Sequence, residues 1–210
     1  GAGYMDYWPY SAIRDVNYFI SEMENSSFDS EYINQRIAEA RFLRAFMYFD
    51  LVKRFGGVPI ITQVLSRDDP EELLNPERYT ESDVYDFIGS EMDAVVDVLP
   101  ESYAADEFGR PTKYAALSMK SRAMLYAASI AKFGEVQLNG LIGIPSGEAD
   151  SYYQESIEAS EAIINSQVFS LYQKNSDLAQ NFQDLFVDET ANPEVIFSER
   201  WDAALYKGHS

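Results

Sequence analysis

Aromatic side chains are the residues of this sequence whose type and spacing best suit the binding of a ligand. Tyr4, Tyr7, Trp8 and Tyr10 fall within seven residues of one another, and Trp201 lies near the other end of the chain. Tyrosine and tryptophan present a flat apolar face beside a polar edge, and the axial C–H groups of a pyranose ring pack on such a face. We therefore predict a sugar-binding surface formed by Trp8 with Tyr4 and Tyr7, and secondarily by Trp201. Packing in the hydrophobic core is the alternative for each ring.

Residues for catalysis or metal binding are sparse. The sequence has no Cys and one His, His209, so thiolate sites, clustered zinc ligands and a Ser–His catalytic pair are excluded. It contains neither a glycine-rich phosphate loop nor an EF-hand loop. The 35 acidic residues could supply the paired carboxylates of a glycoside hydrolase, but their spacing singles out no pair. We predict no catalytic residue, no metal and no cofactor.

The charge balance excludes further classes of partner. The formal net charge is −19, from 16 basic and 35 acidic residues. Nucleic-acid phosphates need Lys and Arg partners, so we expect no DNA or RNA ligand, and an anionic membrane surface offers no attraction either. No run of residues approaches the ~18 apolar residues of a membrane-spanning helix.

Five helical segments and two long loops would position the candidate residues. Apolar residues at helical spacing predict helices at about 10–23, 30–55, 80–99, 112–133 and 151–165. Val168–Leu171 and Val195–Ser198 are typical of short strands or extended segments. The loops at 60–79 and 134–150 exceed the usual helix–helix connection, and long loops tend to be functional or mobile.

The second helix carries the clearest pattern. Its apolar stripe consists of Ile33, Ile37, Ala40, Leu43, Met47, Leu51 and Phe55. Gly56-Gly57 marks its end, and truncation of Leu43 or Leu51 is expected to be costly because both are predicted to be buried. Arg41 and Arg44 lie on or beside the stripe, and we expect them to pair with acids or carbonyl groups of a neighbouring helix.

An internal repeat at an offset of 78 predicts stacked helix pairs. Arg44-Ala45 with Tyr48 recurs as Arg122-Ala123 with Tyr126, each time in the second helix of a pair. Repeated helix pairs favour a solenoid in which each pair buries its apolar face on the next. Tyr48 and Tyr126 are then expected in equivalent buried positions.

Several of these segments resemble the SusD/RagB family, in the right order along nearly the whole chain. The matching segments are Ile13-Arg14 with Asn17, Ala38–Val52 followed by Phe55–Pro59, Gly109–Lys113, Ser166 with Phe169, and Asn192–Phe197. The resemblance implies a mainly α fold of tetratricopeptide-like helix pairs in an α–α superhelix, with long loops and a few short strands. Residues 1–210 would form one domain, with a helical-repeat portion at about 9–167 and a loop and short-strand portion at about 168–210.

The resemblance also implies a function. Such proteins capture oligo- or polysaccharide, without catalysis, for a SusC-like TonB-dependent transporter, and a lipid anchor holds them on the outer-membrane surface of Bacteroidota-type bacteria. Family members are considerably longer, so we expect this chain to be an internal fragment without the anchor. A helical-repeat scaffold that binds only protein, or a helical glycoside hydrolase, is the alternative.

Overall fold

The computed structural model describes residues 8–188 and 192–198. Within these ranges the α-helices are α1 (Tyr10–Glu24), α2 (Ser30–Phe55), α3 (Glu71–Leu74), α4 (Glu81–Val96), α5 (Lys113–Phe133), α6 (Ala149–Ser166) and α7 (Leu178–Val187). Single 3₁₀ turns lie at Ala105–Glu107, Leu138–Gly140 and Ser146–Glu148. No helix of this described part is long and apolar enough to cross a bilayer.

The long helices pack in succession, each mainly on the next. Helix α1 packs on α2, α2 on α4, α4 on α5, and α5 on α6. One contiguous core runs through this array, and its largest fully buried side chains include Phe42, Tyr48, Tyr85, Ile88 and Met124. The predicted mainly α, tetratricopeptide-like arrangement is confirmed.

Local capping explains where the helices begin. Thr80 accepts a hydrogen bond from the Asp83 backbone N–H, and the Asp83 carboxylate accepts one from the Thr80 N–H, which completes the capping box that this pair predicts. Asp29 and Thr112 accept comparable bonds at the starts of α2 and α5. These caps place the helix starts within a residue of their predicted positions.

The predicted buried stripe of α2 is partly wrong. Leu51 is fully buried, but Leu43 is 45% exposed. Because α2 packs against α1 on one side and α4 on another, its buried surface is wider than one stripe and is displaced towards Phe42, Ala45 and Tyr48. Leu43 lies at the edge that neither neighbour covers.

Residues related by the 78-residue repeat are equally buried at one pair of positions and differ in burial at another. Ala45 and Ala123 are both fully buried, but Tyr126 is 40% exposed whereas Tyr48 is fully buried. The buried face of α5 is built mostly from alanines that pack on α4 and α6, and Tyr126 lies outside that face. The Tyr126 side chain instead lies with its edge towards Phe49, at 5.4 Å between ring centroids.

Of the two alternatives predicted for Val168–Leu171 and Val195–Ser198, short strands or extended segments, the strands are absent from the residues that the structure describes. Residues 168–173 and 195–198 are non-helical. Ser170 N–H donates to the carbonyl of Pro193, two residues before the second segment. Helix α7 was not predicted. Its Asp177 N-cap and the spacing of Leu178, Phe182 and Phe186 are the signals that indicate it.

Candidate functional site

Trp8 is the predicted sugar-binding residue that the structure describes, and it is a surface ring. It lies directly before α1, and 52% of its side chain is exposed. Its ring centroid lies 5.1 Å from that of Tyr10 and 5.0 Å from that of Phe55, to which it is edge-on. Tyr4, Tyr7 and Trp201 lie outside the described residues, so their part in a site stays a prediction.

Tyr10, one of the two rings that pack against Trp8, is itself held in place by two contacts. Its phenol donates a 2.6 Å hydrogen bond to the Pro59 carbonyl, and its ring packs edge-on against Tyr48. Burial raises the pKa of the Tyr10 phenol, which keeps the group protonated and able to donate. Trp8 is thereby connected to the segment that follows α2.

Buried polar side chains hold that segment in place. Asn17 Nδ2 donates to the carbonyls of Ile61 (3.0 Å) and Gln63 (3.2 Å), and the Tyr48 hydroxyl accepts from the Ile61 N–H at 2.7 Å. Burial raises the pKa of Tyr48 to about 12, so the phenol stays neutral. Residues 61–63 are therefore fixed to both α1 and α2.

Asn17 is oriented in turn by an ion cluster. Arg44 donates to Asn17 Oδ1 at 2.7 Å and pairs with Glu91 Oε2 at 2.7 Å, and Arg41 pairs with Glu91 Oε1 at 2.7 Å. Because Arg44 occupies the Asn17 oxygen, the amide nitrogen is left to bind the two loop carbonyls. The expectation that Arg41 and Arg44 pair with acids of a neighbouring helix is confirmed.

A cleft of about 620 Å³, here called the loop cleft, opens beside this segment. Residues 60–63 with Leu65 form one wall. The facing wall consists of Leu73, residues 76–80 and Asp83. The length of the 60–79 loop was the signal for a functional segment here, but nothing in the sequence indicated which of its residues face one another.

The second wall of the loop cleft is anchored to the end of α2. Arg78 donates from Nε to the Gly57 carbonyl (2.7 Å) and from Nη2 to the Phe55 carbonyl (2.6 Å), and Tyr79 N–H donates to the Val58 carbonyl (3.2 Å). Arg78 thus places its charge at the negative end of the α2 dipole. The Phe55 ring also packs on Trp8, so Phe55 contacts both Trp8 and the second wall of the loop cleft.

A smaller cavity of about 260 Å³ lies elsewhere, where the 101–112 loop meets residues 168–169 and 195–198. Phe169 and Phe197 give it a largely apolar lining. Beside it the buried carboxylate of Glu39 accepts hydrogen bonds from Arg110 (2.6 Å) and Tyr103 (2.7 Å). This network attaches the loop to α2. Across residues 8–188 and 192–198, no group of three or more His, Cys, Asp or Glu side chains is placed to hold a metal ion.

Most of this chain is similar in sequence to known proteins. Residues 3–125 match a family model, SusD-like, described as starch-binding and associating with the outer membrane. The SusD-like protein P2 of Formosa agariphila is 32% identical over 126 residues, which is 59% of this chain and 23% of that protein. The starch-binding protein SusD of Bacteroides thetaiotaomicron is 28% identical over 202 residues, which is 94% of this chain and 30% of that protein.

Solved structures show the same architecture. A SusD-like protein of Bacteroides fragilis superposes with a TM-score of 0.74 at 26% identity, covering 94% of this chain and 34% of that one. A SusD-like carbohydrate-binding protein of the same species gives a TM-score of 0.62 at 29% identity, covering 80% of this chain and 29% of that one. This chain therefore spans only 23% to 34% of the length of these relatives.

Proposed function

Since this chain belongs to the SusD-like family, which is described as starch-binding and associating with the outer membrane, we propose that it contributes to non-catalytic binding of oligo- or polysaccharide at the bacterial cell surface. The full polypeptide would be lipid-anchored in the outer membrane and would pass its ligand to a SusC-like TonB-dependent transporter. Within one domain, residues 9–167 would supply the helical-repeat portion and residues 168–210 the portion richer in loops.

The observation that carries the proposal is the setting of Trp8. Trp8 is 52% exposed, while Tyr10 and Phe55 hold its ring at about 5 Å between ring centroids. An exposed ring with fixed support loses little conformational freedom when a ligand stacks on it. Such stacking needs no charge, which suits neutral glycan binding by a chain of net charge −19.

Titration calorimetry of the full polypeptide against neutral polysaccharides, with soluble starch among them, tests the proposal. We expect saturable binding without release of shortened product. Trp8→Ala should weaken that binding by roughly 1–3 kcal/mol, by analogy with base stacking on aromatic rings, and should leave the melting temperature nearly unchanged. Tyr18→Ala is the matched control, because Tyr18 on α1 is as exposed as Trp8 but is not among the residues that line the loop cleft.

Three results would contradict the proposal in different ways. Unchanged affinity in Trp8→Ala, or a large fall in its melting temperature, would assign Trp8 to packing and move the site elsewhere. Release of shortened sugars would indicate a glycoside hydrolase. Failure of every glycan to bind would favour the helical-repeat scaffold that binds only protein.

A further inference from the structure

We propose that the loop cleft is a second sugar subsite, continuous with Trp8, so that the protein binds an extended neutral glycan chain along both. This inference rests on the proposed function and specifies its ligand. A cavity of 620 Å³ lies within the range of small-ligand sites, about 300–1,000 Å³. The cleft is therefore large enough to admit part of an oligosaccharide.

The side chains of the cleft offer the two kinds of contact that a sugar ring needs. Tyr79 is 48% exposed, and its ring stacks on no other aromatic ring of the described residues. The Thr62 hydroxyl, the Gln63 amide and the Glu77 carboxylate form no hydrogen bond or ion pair with any residue in the ranges that the structure describes. The hydroxyl and the amide can both donate to and accept from sugar hydroxyls, and the carboxylate can accept from them, beside a ring on which a pyranose can stack.

Backbone contacts fix the position of Tyr79 in the cleft wall. Its N–H donates to the Val58 carbonyl. Its carbonyl oxygen packs so closely on Gly57 that a Cβ added to Gly57 would lie only 1.9 Å from that oxygen. The facing wall is equally fixed, since Asn17 binds the carbonyls of Ile61 and Gln63. Both walls are positioned without ligand, so little ordering is required on binding.

Trp8 and the cleft are linked through the residues that support them both. Phe55 contacts Trp8 through its ring and Arg78 through its carbonyl. Tyr10 contacts Trp8 through its ring and Pro59 through its hydroxyl, and Ile60, the next residue, lines the cleft. These shared supporting residues are the reason for assigning Trp8 and the cleft to one glycan-binding surface.

The charges of the cleft favour a neutral chain. Glu77 and Asp83 place two carboxylates on its second wall. The cation of Arg78 is directed to two backbone carbonyls at the end of α2. A uronate or sulfate group would meet these carboxylates and the net charge of −19, and like charges repel most strongly where solvent is partly excluded.

The dependence of affinity on glycan length tests the subsite. Calorimetry on the full polypeptide would use a trisaccharide and a heptasaccharide from each of the malto-, cello- and laminari-oligosaccharide series. In the series that binds, we expect the heptasaccharide to bind more tightly than the trisaccharide. Tyr79→Ala should weaken heptasaccharide binding by about tenfold and leave the trisaccharide unchanged, whereas Trp8→Ala should weaken both.

Two further variants and a control keep the test decisive. Tyr79→Phe keeps the ring and should retain the tight binding of the long chain. Gln63→Ala changes one exposed amide of the other wall and should also reduce the length dependence, so it carries the test if Tyr79→Ala fails to fold. Tyr18→Ala replaces a similarly exposed tyrosine that does not line the cleft, and it should leave the affinity for both ligands unchanged.

The contrary outcomes separate this inference from the proposed function. If Tyr79→Ala and Gln63→Ala leave the length dependence intact, the cleft is no subsite, although glycan binding itself stands. If Tyr79→Ala weakens both ligands equally and lowers the melting temperature, Tyr79 supports Trp8 and the subsite is again refuted. If the wild-type protein binds no glycan at all, the inference and the proposed function fail together.

Discussion

Asn17, Arg44 and Glu91 show how single buried polar residues position a surface loop. They lie on α1, α2 and α4 and are at most 5% exposed. A buried charge is costly unless it is paired and hydrogen-bonded, and here each charge meets its opposite at 2.7 Å. The side-chain amide of Asn17 still has two N–H groups available, and these donate to the carbonyls of Ile61 and Gln63 in the wall of the loop cleft.

Leu51 and Leu43 allow burial to be tested within one helix. Leu51→Ala should lower the free energy of unfolding by about 2–5 kcal/mol, because it removes a fully buried side chain and leaves a cavity. Leu43→Ala is the matched control and should cost about 0.5 kcal/mol or less, since its side chain is half exposed. Urea denaturation of both variants provides the comparison. Equal losses would mean that the outer edge of α2 is covered in the full polypeptide.

At the level of elements, the end of α2 is a junction for three segments. Gly56 adopts φ = 66°, a left-handed conformation that favours glycine and ends the helix. Gly57 N–H then donates to the Leu141 carbonyl at 2.7 Å, while residues 79–80 pack directly on the Gly57 backbone. The two glycines therefore do more than end a helix: they admit both long loops to within backbone contact.

Gly57→Ala tests this junction. The added Cβ would lie 1.9 Å from the Tyr79 carbonyl oxygen and 2.9 Å from the Thr80 carbonyl carbon, so the backbone of the second cleft wall must shift. We expect a loss of about 1–3 kcal/mol in the free energy of unfolding, as for other overpacked sites. Gly147→Ala is the control, because its Cβ would meet no atom within 4 Å. Equal stability of the two variants would show that the close approach at Gly57 is unimportant.

Across the whole molecule, acidity and helix stacking act against each other. The helices bury a continuous core along the array, while a net charge of −19 favours expansion through self-repulsion. The buried cluster around Glu91 is shielded from solvent, so salt screens it much less than it screens the exposed carboxylates.

This balance predicts a stabilising effect of salt. Raising the NaCl concentration from about 10 mM to about 150 mM shortens the screening length from about 30 Å to about 8 Å, so we expect the melting temperature to rise. Affinity for a neutral glycan, measured in the same buffers, should stay nearly constant because stacking needs no charge. A melting temperature that falls with added salt would show that surface ion pairs outweigh the net repulsion.

The positions of the long helices, their caps and the candidate ring Trp8 follow from the sequence by itself. Helical periodicity and capping depend on residues three or four places apart, so the N-cap of α4 at Thr80 could be predicted from Thr80 and Asp83 alone. The acidic charge and the family resemblance are likewise properties of the chain and required no coordinates.

Only the tertiary structure decided which faces are covered and which loop residues meet. Leu43 and Leu51 occupy the same apolar pattern, yet burial depends on where α1 and α4 pack. The base of Trp8 includes Pro59, 49 residues from Tyr10, and the cleft brings residues 60–63 opposite residues 76–80. Contacts of this range depend on how the helices stack and leave no periodic signal, because the sequence records neighbours along the chain and not neighbours in space.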